Sequence, residues 1–210
     1  IDFLRGVNRW CIWANDKDYE YLNKIEFFKK RFEIVKKARI NSRKKATQKF
    51  SKLPYRFVEI RKKFNPAIIV PTTSSERRKY LPVGYVDKDT IITAPNQVVY
   101  DAPLFVFSIL SSRMHCLWLE TVGGKLRTDY RYSSEIVYNT FPIKNLENSE
   151  IHKLNELALQ VIDEREKNSE KTISELYDPE KMPTGLLNLH KKIDTLIESF
   201  YSEKEIYSDD

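Results

Sequence analysis

The chain has 210 residues, of which 41% are hydrophobic and 31% are charged, and its formal net charge is +6. A chain of this length can bury about two-thirds of its unfolded surface, enough for one domain with an appended piece. Only two cysteines occur, Cys11 and Cys116, both inside apolar runs, so we expect core residues of a reduced, cytoplasmic protein without a disulfide framework or zinc site. The most hydrophobic stretch, residues 102–119, contains Arg113 and His115, which favours a buried helix over a membrane span. We see no signal peptide, and because the sequence does not begin with Met we expect it to be part of a longer protein.

Charge is unevenly distributed along the chain. Residues 17–63 hold 17 Lys or Arg against 5 Asp or Glu, a balance of +12, whereas residues 144–210 hold 9 against 16, a balance of −7. A basic block of that density can follow a phosphate backbone, because each phosphate that it neutralises releases condensed counterion. It can equally be a solvated helix face, or a lysine-rich helix that pairs with the acidic tail.

The first predicted elements belong to the basic block. Residues 10–13 are typical of a short strand, and residues 18–42 are predicted to form one long helix. Its apolar stripe recurs at spacings of three and four residues, at Leu22, Ile25, Phe28, Phe32 and Val35. A connector that ends at Pro54 continues the positive charge with Lys44, Lys45, Lys49 and Lys52.

Four strands and a helix are predicted in the middle of the chain. The strands are rich in β-branched or aromatic residues and cover residues 67–70, 83–86, 90–93 and 97–100. Asp101 is then predicted to cap a helix that has Pro103 in its first turn and is stopped by Gly123 and Gly124.

The character of the sequence changes after Pro142. Apolar residues at helical spacing predict two amphipathic helices, around residues 151–162 and 186–200, which can form a hairpin over an apolar face of the preceding domain. Their polar faces are acidic, which argues against DNA contact. We therefore predict an α+β fold, with a small mixed sheet and long helices in residues 1–143 and a C-terminal helical domain in residues 144–210.

The segment that follows the two glycines alternates in charge. If residues 125–132 form one extended strand, alternation places these side chains on one face: Lys125, Arg127, Asp129 and Arg131. The other face then holds Leu126, Thr128, Tyr130 and Tyr132. An Arg can bind guanine O6 and N7 with two hydrogen bonds, and a carboxylate can accept from the cytosine amino group, so such a row can read G·C pairs in a major groove. The alternative is an exposed strand whose charges pair with each other.

A polar loop at residues 72–80 is the second place where the sequence could contact nucleic acid. Its hydroxyl groups allow a backbone to approach phosphate closely, its cations supply charge, and its aromatic ring can stack or pack. The side chains concerned are Ser74, Ser75, Arg77, Arg78, Lys79 and Tyr80. A polar turn between two strands is the alternative interpretation.

Several blocks of residues follow one another along nearly the whole chain. They are Arg9-Trp10-Cys11-Ile12-Trp13, residues 66–71, residues 74–84, residues 123–142, residues 176–179, Met182-Pro183, and a closing helix that includes His190 and Asp194. Together, and in the same order, they resemble the target-recognition region of the MmeI-like (type IIL) restriction-modification enzymes. These enzymes are single chains that join a DNA adenine methyltransferase to a nuclease.

The resemblance implies a module that reads duplex DNA and positions an upstream methyltransferase domain of the same chain. It implies that Arg127 and Asp129 specify one G·C pair and that Arg131 reads or clamps a neighbouring pair. It places two further base-reading candidates at Asn96 and Gln97, whose amides can pair with adenine. Contacts to the DNA backbone are expected from Lys44, Lys45, Lys49, Ser74, Ser75, Arg77, Arg78 and Lys125. S-adenosylmethionine is implied for the parent chain alone, and no cofactor is expected here.

The sequence lacks the motifs of an active site. Adenine methylation needs an Asn-Pro-Pro-aromatic loop, but Asn65-Pro66-Ala67 lacks the second proline and the ring, and the chain has only five glycines for a cofactor loop. Three histidines occur, without metal-ligand spacing, so we expect no catalysis in this chain. Two other functions stay open: a basic RNA-binding or ribonucleoprotein adaptor domain that stacks Tyr and Arg on single strands, and an interaction module whose basic helix binds an acidic protein.

Overall fold

The computed structural model describes residues 10–58, 66–92 and 95–201. The chain divides into two compact units, and the described parts of these units are residues 10–58 on the one hand and the remaining residues on the other.

The first unit is helical and contains α1 (Asp16–Leu22), α2 (Glu26–Ile40), α3 (Lys45–Lys49) and a single 3₁₀ turn (Phe50–Lys52). Asn15 begins α1, because its side chain accepts a hydrogen bond from the Lys17 amide at 2.8 Å. The sequence predicted one long helix here, and the structure has two, since the chain leaves the helical conformation at Ile25. The predicted strand at residues 10–13 is not formed, and Cys11 is exposed rather than buried.

The break between α1 and α2 allows both helices to pack on one small aromatic core. Phe32 and Tyr55 are buried in it, and Tyr19 stacks on Tyr55 with ring centroids 4.2 Å apart. The guanidinium of Arg39 donates to three carbonyl oxygens of the loop that begins with the 3₁₀ turn, those of Phe50, Leu53 and Arg56, at 2.9, 2.6 and 2.6 Å. Burial lowers the pKa of Arg39. Its three hydrogen bonds nevertheless hold this loop against α2.

The second unit begins with two small antiparallel sheets. Their strands are β1 (Ala67–Val70), β2 (Thr73–Ser74), β3 (Gly84–Val86), β4 (Gln97–Val99), β5 (Gly124–Leu126) and β6 (Asp129–Arg131). The first sheet has the order β3-β1-β4 and the second has the order β2-β6-β5. Since β1 is wholly buried and lies in the centre of its sheet, its continuous apolar sequence follows from its position.

One predicted strand is wrong, because residues 90–92 pair with no other strand in the described structure, while Thr93 lies outside the described residues. The carboxylate of Asp87 accepts hydrogen bonds from the amides of Asp89 and Thr90 at 3.0 and 2.7 Å. These local bonds stabilise a turn at the point where a strand would need its amides for pairing.

The predicted central helix is divided into α4 (Leu104–Leu110) and α5 (Arg113–Val122). The prediction that Asp101 caps it is wrong, because Asp101 has a φ of 52° and Pro103 is the residue that directly precedes the first turn. Ser112 separates the two helices, since its side chain accepts from the His115 amide at 3.1 Å and so begins a new helix. The predicted stop at Gly123 is confirmed. A Cβ atom at Gly123 would lie 2.5 Å from the Leu119 carbonyl oxygen, so a side chain there would force the chain to shift.

The C-terminal part contains α6 (Asn148–Lys167), α7 (Ile173–Leu176) and α8 (Thr184–Glu198). The two long helices form the predicted helical hairpin. Their apolar faces complete the core that β1, α4 and α5 begin, with buried residues Leu154, Ala158, Val161, Leu186, Ile193 and Ile197. The fold is therefore α+β, and the predicted domain boundary after residue 143 stays a prediction.

Candidate nucleic-acid interface

The segment with alternating charges is a β-hairpin, which corrects the prediction of one extended strand over residues 125–132. Strands β5 and β6 are joined by a two-residue turn at Arg127 and Thr128. Arg127 has a φ of 61°, in the left-handed region, as the first residue of such a tight turn requires. The chain folds back here because β6 lies in the centre of its sheet, between β5 and β2.

The hairpin changes which side chains share a face. Directly opposite residues lie on the same face, and the pairs are Leu126 with Asp129, Lys125 with Tyr130, and Gly124 with Arg131. The face with Asp129 and Arg131 is exposed to solvent, and we call it the open face; on it also lie Thr73, Gly124 and Leu126.

The opposite face is directed toward the core. Tyr130 packs against the core cluster, and Ser74, which is paired with it, is only 4% exposed. The Lys125 ammonium lies 5.4 Å from the centre of the Tyr130 ring. Lys125 and Asp129 are therefore on opposite faces, and the predicted common face is wrong because the chain reverses between them.

The base of the hairpin is fixed from two sides. The Tyr132 amide donates to the Thr72 carbonyl oxygen at 2.8 Å, and the Tyr132 hydroxyl lies 3.0 Å from Nε2 of His115 on α5. Burial lowers the pKa of His115 to about 3 and raises the pKa of Tyr132, so both groups are neutral near pH 7. This neutral pair holds the end of β6 on α5.

The predicted adenine-reading residues lie close to this base. Gln97 begins β4 opposite Val70, the last residue of β1, and Thr72 follows two residues later. The Thr72 hydroxyl donates to the Pro95 carbonyl oxygen, which connects the segment before Gln97 to the start of β2. Gln97 also lines a shallow pocket of about 250 Å³ together with Tyr100, Tyr132 and Tyr138 among others. Asn96 and Gln97 are both half-buried.

The loop at residues 74–80 is tied to the C-terminal helices. The guanidinium of Arg77 lies 2.5 Å from the Glu180 carboxylate, although both side chains remain largely exposed. Arg78 is half-buried and donates to the Ser174 hydroxyl at 2.9 Å. Burial lowers the pKa of Arg78, and the negative charges of Asp178 and Asp129 oppose that shift. Ser75 is partly exposed and accepts from the Arg77 amide at 3.3 Å, which closes the turn.

A buried network that the sequence did not indicate supports the end of this loop. Tyr80 stacks on His190 with centroids 4.5 Å apart and donates to the Asp194 carboxylate at 2.8 Å. The same carboxylate accepts from the amide of Arg113, the first residue of α5, at 2.7 Å. Asp194 therefore fixes both the loop that follows β2 and the helix that leads into β5. In the sequence, these residues are indicated only by the blocks that resemble the MmeI-like enzymes, which include Tyr80, His190 and Asp194.

The network continues inside the helical part. His190 contacts the Tyr177 hydroxyl through Nε2 at 2.8 Å and the Ser111 carbonyl oxygen through Nδ1 at 3.1 Å. Burial lowers the pKa of His190 to about 3, and the nearby Arg165 charge acts in the same direction. Arg165 donates to the Tyr177 hydroxyl and, at 2.8 Å, to the Val83 carbonyl oxygen. These bonds join the helical hairpin to the first sheet.

Three candidate phosphate contacts lie in the other unit. Lys44 directly precedes α3, while Lys45 and Lys49 lie one turn apart on that helix, and all three are exposed. They present a compact group of cations on one short helix.

No metal site is found among the described residues. No group of three His, Cys, Asp or Glu side chains in residues 10–58, 66–92 and 95–201 could hold a metal ion. Burial raises the pKa of Cys116 to about 12, so its thiol stays protonated. Within the described ranges, the helices are all too short or too polar to cross a bilayer.

Comparison with known proteins identifies the family. The family model for the MmeI target recognition domain matches residues 1–145, and the model for the MmeI C-terminal domain matches residues 146–210. The chain belongs to the MmeI family. The hairpin, the 74–80 loop and Gln97 lie in the part that matches the MmeI target recognition domain, and α6, α7 and α8 lie in the part that matches the MmeI C-terminal domain.

Two relatives extend this assignment. DNA methyltransferase A of Bacillus subtilis (strain 168) is 38% identical over 210 residues, which are 100% of this chain and 24% of the relative. The solved structure of the type IIL restriction-modification enzyme MmeI in complex with DNA matches with a TM-score of 0.87 and 32% identity, over 98% of this chain and 28% of that one. The chain thus spans about a quarter of the length of both, and the resemblance seen in the sequence is confirmed.

Proposed function

We propose that this chain reads the sequence of duplex DNA from the major groove and thereby directs a methyltransferase to its site. The observation that carries the proposal is the open face of the hairpin. It presents Asp129 and Arg131 to solvent, with Arg127 at the tip, in a chain whose family is that of a target recognition domain.

The dimensions of the hairpin suit a major groove. A groove about 12 Å wide admits a two-stranded β-ribbon. Residues two apart on a strand are separated by about 6.6–6.8 Å, and successive phosphates of one strand by about 3.4 Å along the axis. Asp129 and Arg131, which are two apart on β6, would therefore address base pairs about two steps apart.

The chemistry of the three side chains favours G·C pairs. Arg127 would bind O6 and N7 of a guanine, and Asp129 would accept from the amino group of the paired cytosine. In the hairpin, Arg127 would reach this pair from the turn, and Asp129 would reach it from the first position of β6. Arg131 would read or clamp a pair about two steps away. Asn96 and Gln97 would meet an adenine near the base of the hairpin.

Phosphate contacts would add to these base contacts. In the unit that contains the hairpin, the candidates are the exposed Arg77 and Lys125 and the partly exposed Ser75. In the helical unit they are the exposed Lys44, Lys45 and Lys49. Ser74 and Arg78 are less accessible, since Ser74 is buried and Arg78 is held at Ser174. We infer that these two shape the loop that brings Arg77 to the backbone.

The methyl-transfer chemistry would lie outside this chain. The relatives that it matches are about four times as long, and one of them is named a DNA methyltransferase. We propose that an upstream methyltransferase domain of the same protein binds S-adenosylmethionine and methylates an adenine, while this chain supplies only the choice of site.

Selection from random DNA duplexes tests the proposal. The chain should select a defined motif, and matched single-stranded RNA should compete poorly. The double variant Arg127→Glu with Asp129→Arg should change the preferred base from G to C at one position, because one bidentate pair contributes about 1 to 3 kcal/mol of discrimination. Methylation mapping of the complete enzyme should show the same change.

The variant Lys125→Ala is the matched control, since it removes a charge from the same hairpin but from the inner face. It should weaken binding to all duplexes alike. Preference for single-stranded RNA would instead support an RNA-binding domain. If the double variant loses base preference equally at every position of the motif, Arg127 and Asp129 only clamp phosphate.

A further inference from the structure

The open face of the hairpin also carries an apolar side chain, that of Leu126. Leu126 is 55% exposed and lies directly opposite Asp129, on the same face as Asp129 and Arg131. Alternation along an extended strand would place Leu126 on the face of Tyr130, in the core. The turn at Arg127 and Thr128 moves it to the face that meets the solvent.

The fold itself gives no reason for a leucine at this position. Tyr130, on the inner face, packs against the core cluster, whereas Leu126 is not among the residues that form or cover it. Single exposed leucines are common on protein surfaces, so exposure alone indicates nothing. The position of Leu126 is what indicates a role in binding, because Leu126 lies beside hydrogen-bonding groups that face the same direction.

The major groove offers one apolar feature to such a side chain. Among the four bases only thymine presents a methyl group there, at C5, and apolar side chains recognise it by contact. Directly opposite residues of an antiparallel pair have Cβ atoms about 4.5–5.5 Å apart, so Leu126 can reach bases beside the one that Asp129 contacts. Because the pair proposed for Asp129 is G·C and has no thymine, a methyl group within reach of Leu126 belongs to a neighbouring pair.

We propose that Leu126 is a specificity-determining residue that contacts the C5 methyl group of a thymine next to the base pair read by Asp129. This inference rests on the proposed function. It adds recognition of thymine through its methyl group, which hydrogen bonds cannot recognise. The Leu126 side chain leaves water when it meets the methyl group, which is the source of the discrimination.

The test uses duplexes that differ by that methyl group alone. Selection with the wild-type chain gives the motif, and selection with Asp129→Ala identifies the pair that Asp129 reads. The neighbouring thymine is then replaced by uracil, which keeps every hydrogen-bonding group. The wild-type chain should bind the uracil duplex about fourfold more weakly, the effect of losing one methyl group from an apolar contact.

Leu126→Ala should bind the thymine and uracil duplexes with nearly equal affinity. Leu159→Ala is the matched control, because Leu159 is a leucine of similar exposure, 52%, on α6. It should keep the fourfold ratio. Both side chains are exposed, so both variants should keep the wild-type thermal midpoint.

Three results would overturn the inference while leaving the proposed function intact. The first is a motif that lacks a thymine next to the pair read by Asp129. The second is equal binding of both duplexes by the wild-type chain. The third is a Leu126→Ala variant that binds both duplexes more weakly but keeps the ratio, which would assign Leu126 to a sugar or to a protein surface. A chain that selects no duplex motif would overturn the proposed function and this inference together.

Discussion

Acidification should destabilise the larger unit through its two buried histidines. Burial lowers the pKa of His115 and of His190 from 6.5 to about 3. In the unfolded chain each imidazole binds a proton near pH 6.5, whereas in the folded chain it stays neutral until about pH 3. The unfolded state therefore binds more protons between these values, and stability falls as the pH drops through 6.5.

The size of the loss follows from the two pKa shifts. Each histidine contributes a slope of about 1.4 kcal/mol per pH unit, so two contribute about 2.7 kcal/mol per unit well below pH 6.5. At pH 5 the free energy of unfolding should be about 4 kcal/mol lower than at pH 8. That is a large part of the 5–15 kcal/mol typical of a domain. The carboxyl groups of Glu150 and Glu175 have lowered pKa values, so they add a further loss only at more acidic pH.

Urea unfolding between pH 8 and pH 5 measures this slope. Trp118 fluorescence reports on the larger unit once Trp10 and Trp13, which lie in the helical unit, are replaced by Phe. His115→Gln and His190→Gln should each remove about half of the slope, whatever they do to the stability at pH 8.

His152→Gln is the control, since His152 is a histidine with a largely exposed side chain that contacts Glu156. It should leave the slope unchanged. A wild-type slope below about 1 kcal/mol per unit between pH 6 and pH 5 would contradict the reasoning, because both imidazoles would then have to accept protons in the folded state.

The remaining predictions concern methyl transfer and binding to the DNA backbone. The isolated chain should transfer no methyl groups from labelled S-adenosylmethionine to DNA, because the sequence encodes neither a cofactor loop nor an adenine-binding loop; incorporation above background would refute this. Replacing Lys44, Lys45 and Lys49 by Ala should weaken binding to all duplexes alike and reduce the slope of log K against log salt by about one unit per lost phosphate contact. An unchanged slope would place α3 away from the DNA backbone.

The sequence by itself determined the elements whose signals are local. The apolar run of β1, the helical periodicity of α6 and α8, and the stop at Gly123 depend on residues that lie close together in the chain, and all of them are found in the structure. The quoted blocks also identified the family, because their order spans the whole chain.

Only the tertiary structure decided how the hairpin formed by β5 and β6 presents its side chains. Alternation of charge is the same in an extended strand and in a hairpin, and the turn at Arg127 and Thr128 lacks the Gly and Asn that usually indicate a reversal. A positive φ at Arg127 costs about 1–2 kcal/mol, which the local sequence does not compensate.

The compensation comes from distant residues. Strand β6 pairs with β2, more than 50 residues earlier in the chain, and Tyr132 beside it is held by Thr72 and His115. Such pairings are non-local, so neither propensity nor periodicity within the segment can reveal them. They place Leu126 beside Asp129 and separate Lys125 from Arg131, and in this way the tertiary structure determines which side chains the open face presents.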